Sequence, residues 1–292
     1  MAPDPETWTV IAALDRTRSY LERAGDAHAR SSAEWLLEAA TGLARFDLYT
    51  HFDQPLTPEE LACLRAGVAR RAQGEPLQYI TGAAPFRHLE LKVTPAVLIP
   101  RPETEVLVDL ALKELCELSQ PAVLDLCTGS GCIALSLIQE ADIDVTATDL
   151  SGAALAVARE NAEALGYTER LDLRRGDLFD ALDPDERFDL IVSNPPYIPL
   201  TGKDALPREV RDFEPLLALF SGHDGLGVFR RIIARAPRHL TGNGVIIVEL
   251  HEDTAMRAAQ EAVKLDRYEA IDVLPDLTGR LRFVRLGGKT SE

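Results

Sequence analysis

Residues 188–199 read Phe-Asp-Leu-Ile-Val-Ser-Asn-Pro-Pro-Tyr-Ile-Pro, and Asn194-Pro195-Pro196-Tyr197 within them carries the clearest chemistry in the chain. The apolar run Leu190, Ile191, Val192 predicts a buried strand, and Asn-Pro-Pro stops it abruptly. Each proline fixes its own φ at about −65° and lacks an N–H, and the residue before each is pushed out of the helical region. The turn is therefore stiff, with outward carbonyls that meet no competing local donors. An amide side chain flanks it on one side and an aromatic ring on the other. Such a turn accepts hydrogen bonds from a planar –NH2 group and packs against its face.

A second constellation is Asp125-Leu126-Cys127-Thr128-Gly129-Ser130-Gly131, where a strand gives way to a helix. Glycines there let the backbone approach a ligand closely, and the helix N-terminus offers unpaired N–H groups to an anion. Asp149 ends the next strand, twenty positions beyond Gly129, a spacing suited to ribose hydroxyls. Asp177, followed by Leu178 after the third strand, is available to a base edge. Together these residues predict an adenosine-containing cofactor, and two cofactors compete. Gly129-x-Gly131-x-x-Ala134 satisfies the relaxed nicotinamide-dinucleotide fingerprint of a dehydrogenase. That reading supplies no hydride-transfer site and leaves Asn194–Tyr197 without a purpose. S-adenosyl-L-methionine accounts for both: its carboxylate suits the glycine turn, its ribose suits Asp149, and its methyl lies towards the end of the fourth strand. No metal is called for. Ligands of open parallel sheets bind at the carboxyl ends of the strands, which places all three motifs on one edge.

The elements that must position these groups divide the chain in three. Residues 1–75 show helical patterning; Asp26 or Ser31 starts one helix, and Thr57-Pro58-Glu59-Glu60 is a cap, an N1 proline and a first turn of acids. Residues 76–95 contain Leu77–Gly82 and Leu89–Val93, short alternating segments that predict a β-hairpin linker. Across residues 96–292, strands at Val123–Leu126, Val145–Thr148, Leu171–Leu173, Leu190–Ser193 and Gly244–Leu250 alternate with helices. Two closely spaced final strands, Glu269–Leu274 and Leu281–Leu286, suggest an antiparallel edge. This alternation predicts an α/β fold, a mainly parallel sheet covered on both faces.

Composition narrows the partners. The 292 residues suit about two domains, and no apolar run approaches the ~18 residues of a membrane span. The start at Met1–Glu6 lacks the pattern of a signal peptide. Four cysteines (63, 116, 127 and 132) without metal-ligand spacing fit reduced thiols in the cytoplasm. A net charge of −16 gives no overall attraction for duplex DNA and tilts the substrate towards protein. Arg230, Arg231, Arg235 and Arg238 form one basic cluster, read as a solvated helix face.

With these residues assembled, the chain resembles the glutamine N5-methyltransferases of peptide release factors, the HemK/PrmC type. Beyond Asn194–Tyr197 the resemblance includes Leu77-Gln-Tyr-Ile-Thr-Gly82 and Leu98-Ile-Pro-Arg-Pro-Glu-Thr-Glu105. It continues through Phe213-Glu-Pro215, Gly222-x-Asp224-Gly-Leu226 and Asp276-Leu-Thr-Gly-Arg280. The Asn-Pro-Pro-Tyr tetrapeptide is shared with DNA adenine methyltransferases, whereas the Ile-Pro-Arg-Pro-Glu-Thr-Glu segment is far more particular. The resemblance implies a Rossmann-like class I methyltransferase sheet behind a small helical bundle that grips the protein substrate. It implies cofactor contacts from Thr128, Gly129, Gly131, Asp149, Asp177, Leu178 and Asn194, with Cys127 and Ser130 completing the turn. It also implies that Asn194, Pro195, Pro196 and Tyr197 hold the substrate glutamine, in the Gly-Gly-Gln loop of class 1 release factors.

Two residues depart from the family pattern. Cys127 stands where glycine is usual, so the turn must tolerate a Cβ. Val248-Glu-Leu-His251 replaces the usual Glu-His-Gly, and His251 reads as an ordinary strand-end histidine. Arg101, Glu103 and Glu105 are open to two readings, a salt-bridged helix start or part of the cofactor pocket. Three other functions stay open: glutamine methylation of a ribosomal protein, DNA adenine N6-methylation, and a binding module that docks without catalysis.

Overall fold

The structure is a computed structural model, and it describes residues 8–288. The reading of the start at Met1–Glu6 lies outside those residues. Contacts group the chain into two compact units, one running up to Ala83 and including Arg208–Phe213, the other comprising Ala84–Pro207 and the chain from Glu214 onward.

The first unit is built from the helices Val10–Arg23, Ala29–Thr41 and Pro58–Ala72, with shorter turns at Asp47–Thr50 and Leu77–Thr81. Val10, Leu14, Leu21, Leu37 and Leu64 recur at helical spacing and close on one another as its core. The Pro58 helix starts as the sequence predicts. Thr57 Oγ1 accepts from the Glu60 N–H at 3.1 Å, and Glu60 Oε2 accepts from the Thr57 N–H at 2.7 Å. Thr57→Ala is expected to lower unfolding free energy by about 1 kcal/mol, read as a small shift of the urea midpoint with no change in slope. Neither Asp26 nor Ser31 caps the Ala29 helix, whose N-cap is His28 without a side-chain cap; the Asp26 carboxylate instead ties down the preceding turn, accepting from the His28 N–H at 2.9 Å and from Ser32 Oγ at 2.6 Å.

One expectation is corrected. Leu77–Gly82 is not a strand; Leu77–Thr81 forms a helical turn between Pro76 and a left-handed Gly82 (φ 79°), whose N–H reaches the Gln78 carbonyl at 2.8 Å. Five residues are too few to separate a period of 2 from one of 3.6, and the bracketing proline and glycine favour the helix. The hairpin lies just beyond, as β1 (Ala83–Phe86) and β2 (Leu89–Lys92).

The second unit holds a seven-stranded sheet: β3 (Val123–Leu126), β4 (Val145–Asp149), β5 (Leu171–Arg175), β6 (Phe188–Ser193), β7 (Leu240–Glu249), β8 (Tyr268–Pro275) and β9 (Leu281–Gly288). Their order is β5-β4-β3-β6-β7-β9-β8, parallel from β5 to β7 and antiparallel at β9 and β8. Every residue of β3 is buried because helices cover both faces, so the strand reads as a continuous apolar run broken only by Asp125. Successive residues feed opposite layers, Val123, Val145, Val192 and Ile247 into one and Leu124, Ile191, Ile246 and Val248 into the other. The chain winds outward from β3 to β5 and then returns to β6 on the other side. The switch point therefore lies between β3 and β6, where ligands of such sheets bind.

Candidate active site

Register brings the two motifs together. Leu126 is the lateral partner of Ser193, and Ser193 Oγ donates to the Leu126 carbonyl at 2.8 Å. The next residues in each strand are Cys127, which opens the glycine turn, and Asn194, which opens the proline turn. Both sit on the rim of one cavity at the carboxyl ends of the strands. Residues 127–130, Asp149, Asp177 and Leu178 line it on one side, and Asn194 and Pro196 on the other. Of the remaining sequence-derived residues, Gly131, Pro195 and Tyr197 do not line it. A Cβ at Gly131 would lie 3.2 Å from Leu135 and 3.3 Å from Ala158, so that glycine serves close packing under the turn.

Asp149 has two tasks. Its carboxylate accepts from the Gly129 N–H at 2.9 Å and from the Ser151 N–H at 2.8 Å, which ties the end of β4 to the turn. Each oxygen keeps a second lone pair for hydroxyl donors. Burial pushes this carboxyl above its ordinary value, while the backbone donors favour the charged form. Asp177 is engaged by Arg231 at 2.8 Å, so the cavity-side acid is held by a cation that itself lines the cavity. Cys127 takes φ 61°, the left-handed conformation for which the family's usual glycine is suited, and tolerates its Cβ there. Cys127 is half-buried on the cavity wall, and desolvation together with the nearby Asp149 and Asp125 pushes its thiol well up, which disfavours the thiolate.

Sequence reasoning missed two groups behind these turns. Asn161, on the helix Gly152–Leu165, donates to the Ser130 carbonyl at 2.9 Å and to the Lys92 carbonyl at 3.1 Å, and accepts from the Lys92 N–H at 2.7 Å. It pins the glycine turn to β2, and its only sequence signal is an amide on an otherwise apolar helix face. Thr104 is the second. Its Oγ1 accepts from Asn194 Nδ2 at 2.9 Å, fixing the amide that the sequence placed at the centre of the chemistry. Glu249, buried at the end of β7, has its carboxyl raised to about 7, chiefly by burial. Asp125, also fully buried, is likewise raised to about 7 by burial, although Thr128 Oγ1 donates to it at 2.6 Å.

The proline turn is braced from beneath. Ile198 exchanges backbone hydrogen bonds with the segment around Phe220, at 2.9 Å from Ile198 N to Leu219 O and 2.9 Å from Ser221 N to Ile198 O. Gly225 (φ 80°) lies so close to Tyr197 that a Cβ there would collide with the Tyr197 carbonyl oxygen. The Tyr197 ring sits 6.3 Å from that of His251, tilted by 50°. His251 itself caps the helix Glu252–Leu265, its Nδ1 accepting from the Asp253 N–H at 3.3 Å, which agrees with the strand-end reading. The two readings of the Arg101 segment divide by residue. Arg101 lines the cavity and pairs with buried Glu214 at 2.5 Å, whereas Glu105 accepts from the Arg87 N–H at 2.9 Å and belongs to the hairpin. Three of the clustered arginines are ion-paired, Arg230 with Asp224 and Glu261, Arg231 with Asp177 and Arg235 with Asp180.

The chemistry of the rim fits an adenosyl sulfonium cofactor. At Gly129 (φ 58°) a Cβ would meet nothing within 4 Å, so the backbone is open to a ligand. The ten-residue helix Cys132–Ala141 begins at Gly131 without a side-chain cap, which leaves first-turn N–H groups for a carboxylate. Sheet order, glycine turn and strand-end acid define an S-adenosyl-L-methionine-dependent methyltransferase of the Rossmann-like class. A methyltransferase from Pyrococcus furiosus shares the fold, with a TM-score of 0.51 at 20% identity over 70% of this chain and 90% of that one.

The sequence relatives are more specific. Residues 12–82 match the family model described as the PrmC N-terminal domain, and residues 103–205 match the methyltransferase small domain. The release factor glutamine methyltransferase of Geobacter sulfurreducens is 50% identical over 86% of this chain and 87% of its own length. That of Rhodopirellula baltica is 38% identical over 96% of both. The chain belongs to the release factor glutamine methyltransferase family.

Proposed function

We propose that this protein transfers the methyl group of S-adenosyl-L-methionine to the side-chain amide nitrogen of the glutamine in the Gly-Gly-Gln loop of class 1 peptide chain release factors. The observation that carries this reading is the register of Leu126 with Ser193, which sets the Asn194 amide beside the glycine turn on one cavity rim. The cofactor supplies an electrophilic methyl group that needs no protonated leaving group. A carboxamide nitrogen is a poor nucleophile because its lone pair is delocalised, so the chain's task is to orient it. In this proposal Asn194 Oδ1 and the Pro195 carbonyl accept the two amide N–H groups and turn the lone pair towards the cavity. Pro196 keeps the turn rigid and Tyr197 offers a ring to the amide plane. The nitrogen becomes acidic once alkylated and loses its proton to solvent, so no dedicated base is required.

The helical region to residue 75 is assigned the grip on the release factor, residues 76–95 the linker and residues 96–292 the methyl transfer. The reading places the enzyme in the cytoplasm with the translation machinery, where its four free thiols stay reduced. No stable nucleic-acid partner or membrane is part of it. The arginines of the Gly227–Arg235 helix are each paired with acids, and no helix among the described residues is long and apolar enough to cross a membrane.

Asp149→Ala removes both the ribose acceptor and the tie to Gly129. It is expected to weaken cofactor binding by about 10- to 100-fold, measured by titration calorimetry. An unchanged affinity contradicts the assignment. The function is tested by offering the protein labelled S-adenosyl-L-methionine with a release factor, ribosomal proteins and duplex DNA in parallel. Label in the release factor supports the proposal. Label confined to ribosomal protein or DNA replaces it with that substrate, and binding of cofactor without transfer to any of them leaves a docking module.

A further inference from the structure

We infer that a basic groove on the helical unit, between the Val10–Arg23 and Pro58–Ala72 helices, is where the release factor docks, and that it takes an acidic segment of that factor which also carries an apolar side chain. The inference rests on the proposed function, and gives a surface to the grip assigned there to the helical region.

The groove has a volume of about 550 Å³, within the ~300–1,000 Å³ of ligand-binding clefts. Arg16, Tyr20 and Arg23 border it from one helix, and Leu61, Arg65 and Val68 from the other. Each set recurs at i, i+4 and i+7, which keeps it on one helix face over about two turns. The floor is apolar. Leu64 is buried there, and Trp8 and Val68 pack half-buried against the core of the unit. Trp8 is held at the head of the first helix by its carbonyl, which accepts from the Leu56 N–H at 2.8 Å.

The rim is cationic. Arg16 and Arg65 stand 4.4 and 5.7 Å from the centre of the Trp8 ring, so the indole braces both guanidinium groups, whose forked donors suit carboxylates. Arg23 makes no ion pair among the described residues, and the acid beside it on the rim, Asp15, faces Arg18 at 3.7 Å. Tyr20 is 48% exposed and adds an amphipathic ring of the kind that anchors protein interfaces.

Charge and substrate chemistry choose the occupant. Three arginines on a chain of net charge −16 are a local reversal of sign, which draws an acidic partner and disfavours a second copy of this chain. A Gly-Gly-Gln loop offers the methyl-transfer cavity one functional side chain, because its glycines have none. Affinity for the whole factor must therefore come from another part of it, and the groove supplies both an apolar floor and a charged rim for that part.

The test is steady-state methylation of intact release factor by the full chain. Arg23→Glu combined with Arg65→Glu is expected to raise KM for the factor about 10- to 100-fold, with kcat within about threefold and the cofactor dissociation constant unchanged. The wild-type KM should climb with ionic strength and that of the double variant should hardly respond. Arg65→Gln, a milder change at an exposed position, should raise KM about three- to tenfold and keeps the test decisive if the double reversal does not fold. A photoreactive benzoylphenylalanine at position 20 should crosslink to an acidic segment of the factor. An unchanged KM in a folded variant, or crosslinks confined to a second copy, to the chain itself or to a basic segment of the factor, overturns the inference. Failure of the wild-type chain to methylate the factor, with transfer to ribosomal protein or DNA instead, removes the function beneath it.

Discussion

Asn194→Ala is expected to lower the rate of methyl transfer by about 10²–10³-fold, or 2.7–4 kcal/mol, the cost of losing one preorganised hydrogen-bonding group from a transition state. The cofactor dissociation constant should stay within about tenfold, because Gly129, Ser130 and Asp149 are held by bonds that do not pass through Asn194. Those bonds are the Asp149 ties to the turn and the Asn161 tie to Ser130. The mutation leaves Thr104 Oγ1 without its donor, the loss of a single side-chain bond, so the fold should survive. Stopped-flow or quench measurement under single-turnover conditions separates this from product release. Wild-type turnover would falsify the orientation mechanism, since no other side-chain amide stands at that point of the rim.

The second large effect is expected at a residue that touches no ligand. Gly225→Ala should cost about 3 kcal/mol or more of unfolding free energy and lower transfer at least tenfold. Two penalties combine there. A left-handed alanine costs about 1–2 kcal/mol, and its Cβ cannot coexist with the Tyr197 carbonyl oxygen, a backbone atom with no rotamer to retreat into. Relief requires the Asn194–Tyr197 turn to shift, and the turn is also tied through Ile198 to Leu219 and Ser221. Gly82→Ala is the matched control. Its φ of 79° brings the same backbone strain, but a Cβ there meets nothing within 4 Å. Urea denaturation should therefore show a clear excess loss in Gly225→Ala. Equal losses in the two variants would mean that the contact with Tyr197 carries no energy.

The parts of the site that were legible in the sequence are those made by local backbone chemistry. Prolines that end a strand, glycines that open a helix and an acid at the end of the next strand each leave a contiguous mark, and the sheet register then puts them where that mark implies. Leu77–Gly82 forms a helical turn rather than a strand because five residues are too few for the sequence to separate a period of 3.6 from a period of 2. Thr104 was out of reach for a different reason. It lies 90 positions from Asn194 in the chain, and nothing about a threonine in the first turn of a helix announces a distant amide. Asn161 is similar, a polar residue whose partners at Ser130 and Lys92 exist only once the fold has brought remote segments together. Asp177 falls between these cases: its place on the rim was legible, its salt bridge to Arg231 was not.

Position of the methyl group is the most direct measurement of the account. Release factor incubated with the protein and S-adenosyl-L-methionine is digested and sequenced by tandem mass spectrometry. One methyl is expected, on the side-chain amide nitrogen of the glutamine in the Gly-Gly-Gln loop, and it should be lost with Asn194→Ala. A methyl on any other residue of the release factor, or on that glutamine at undiminished level with Asn194→Ala, would contradict it.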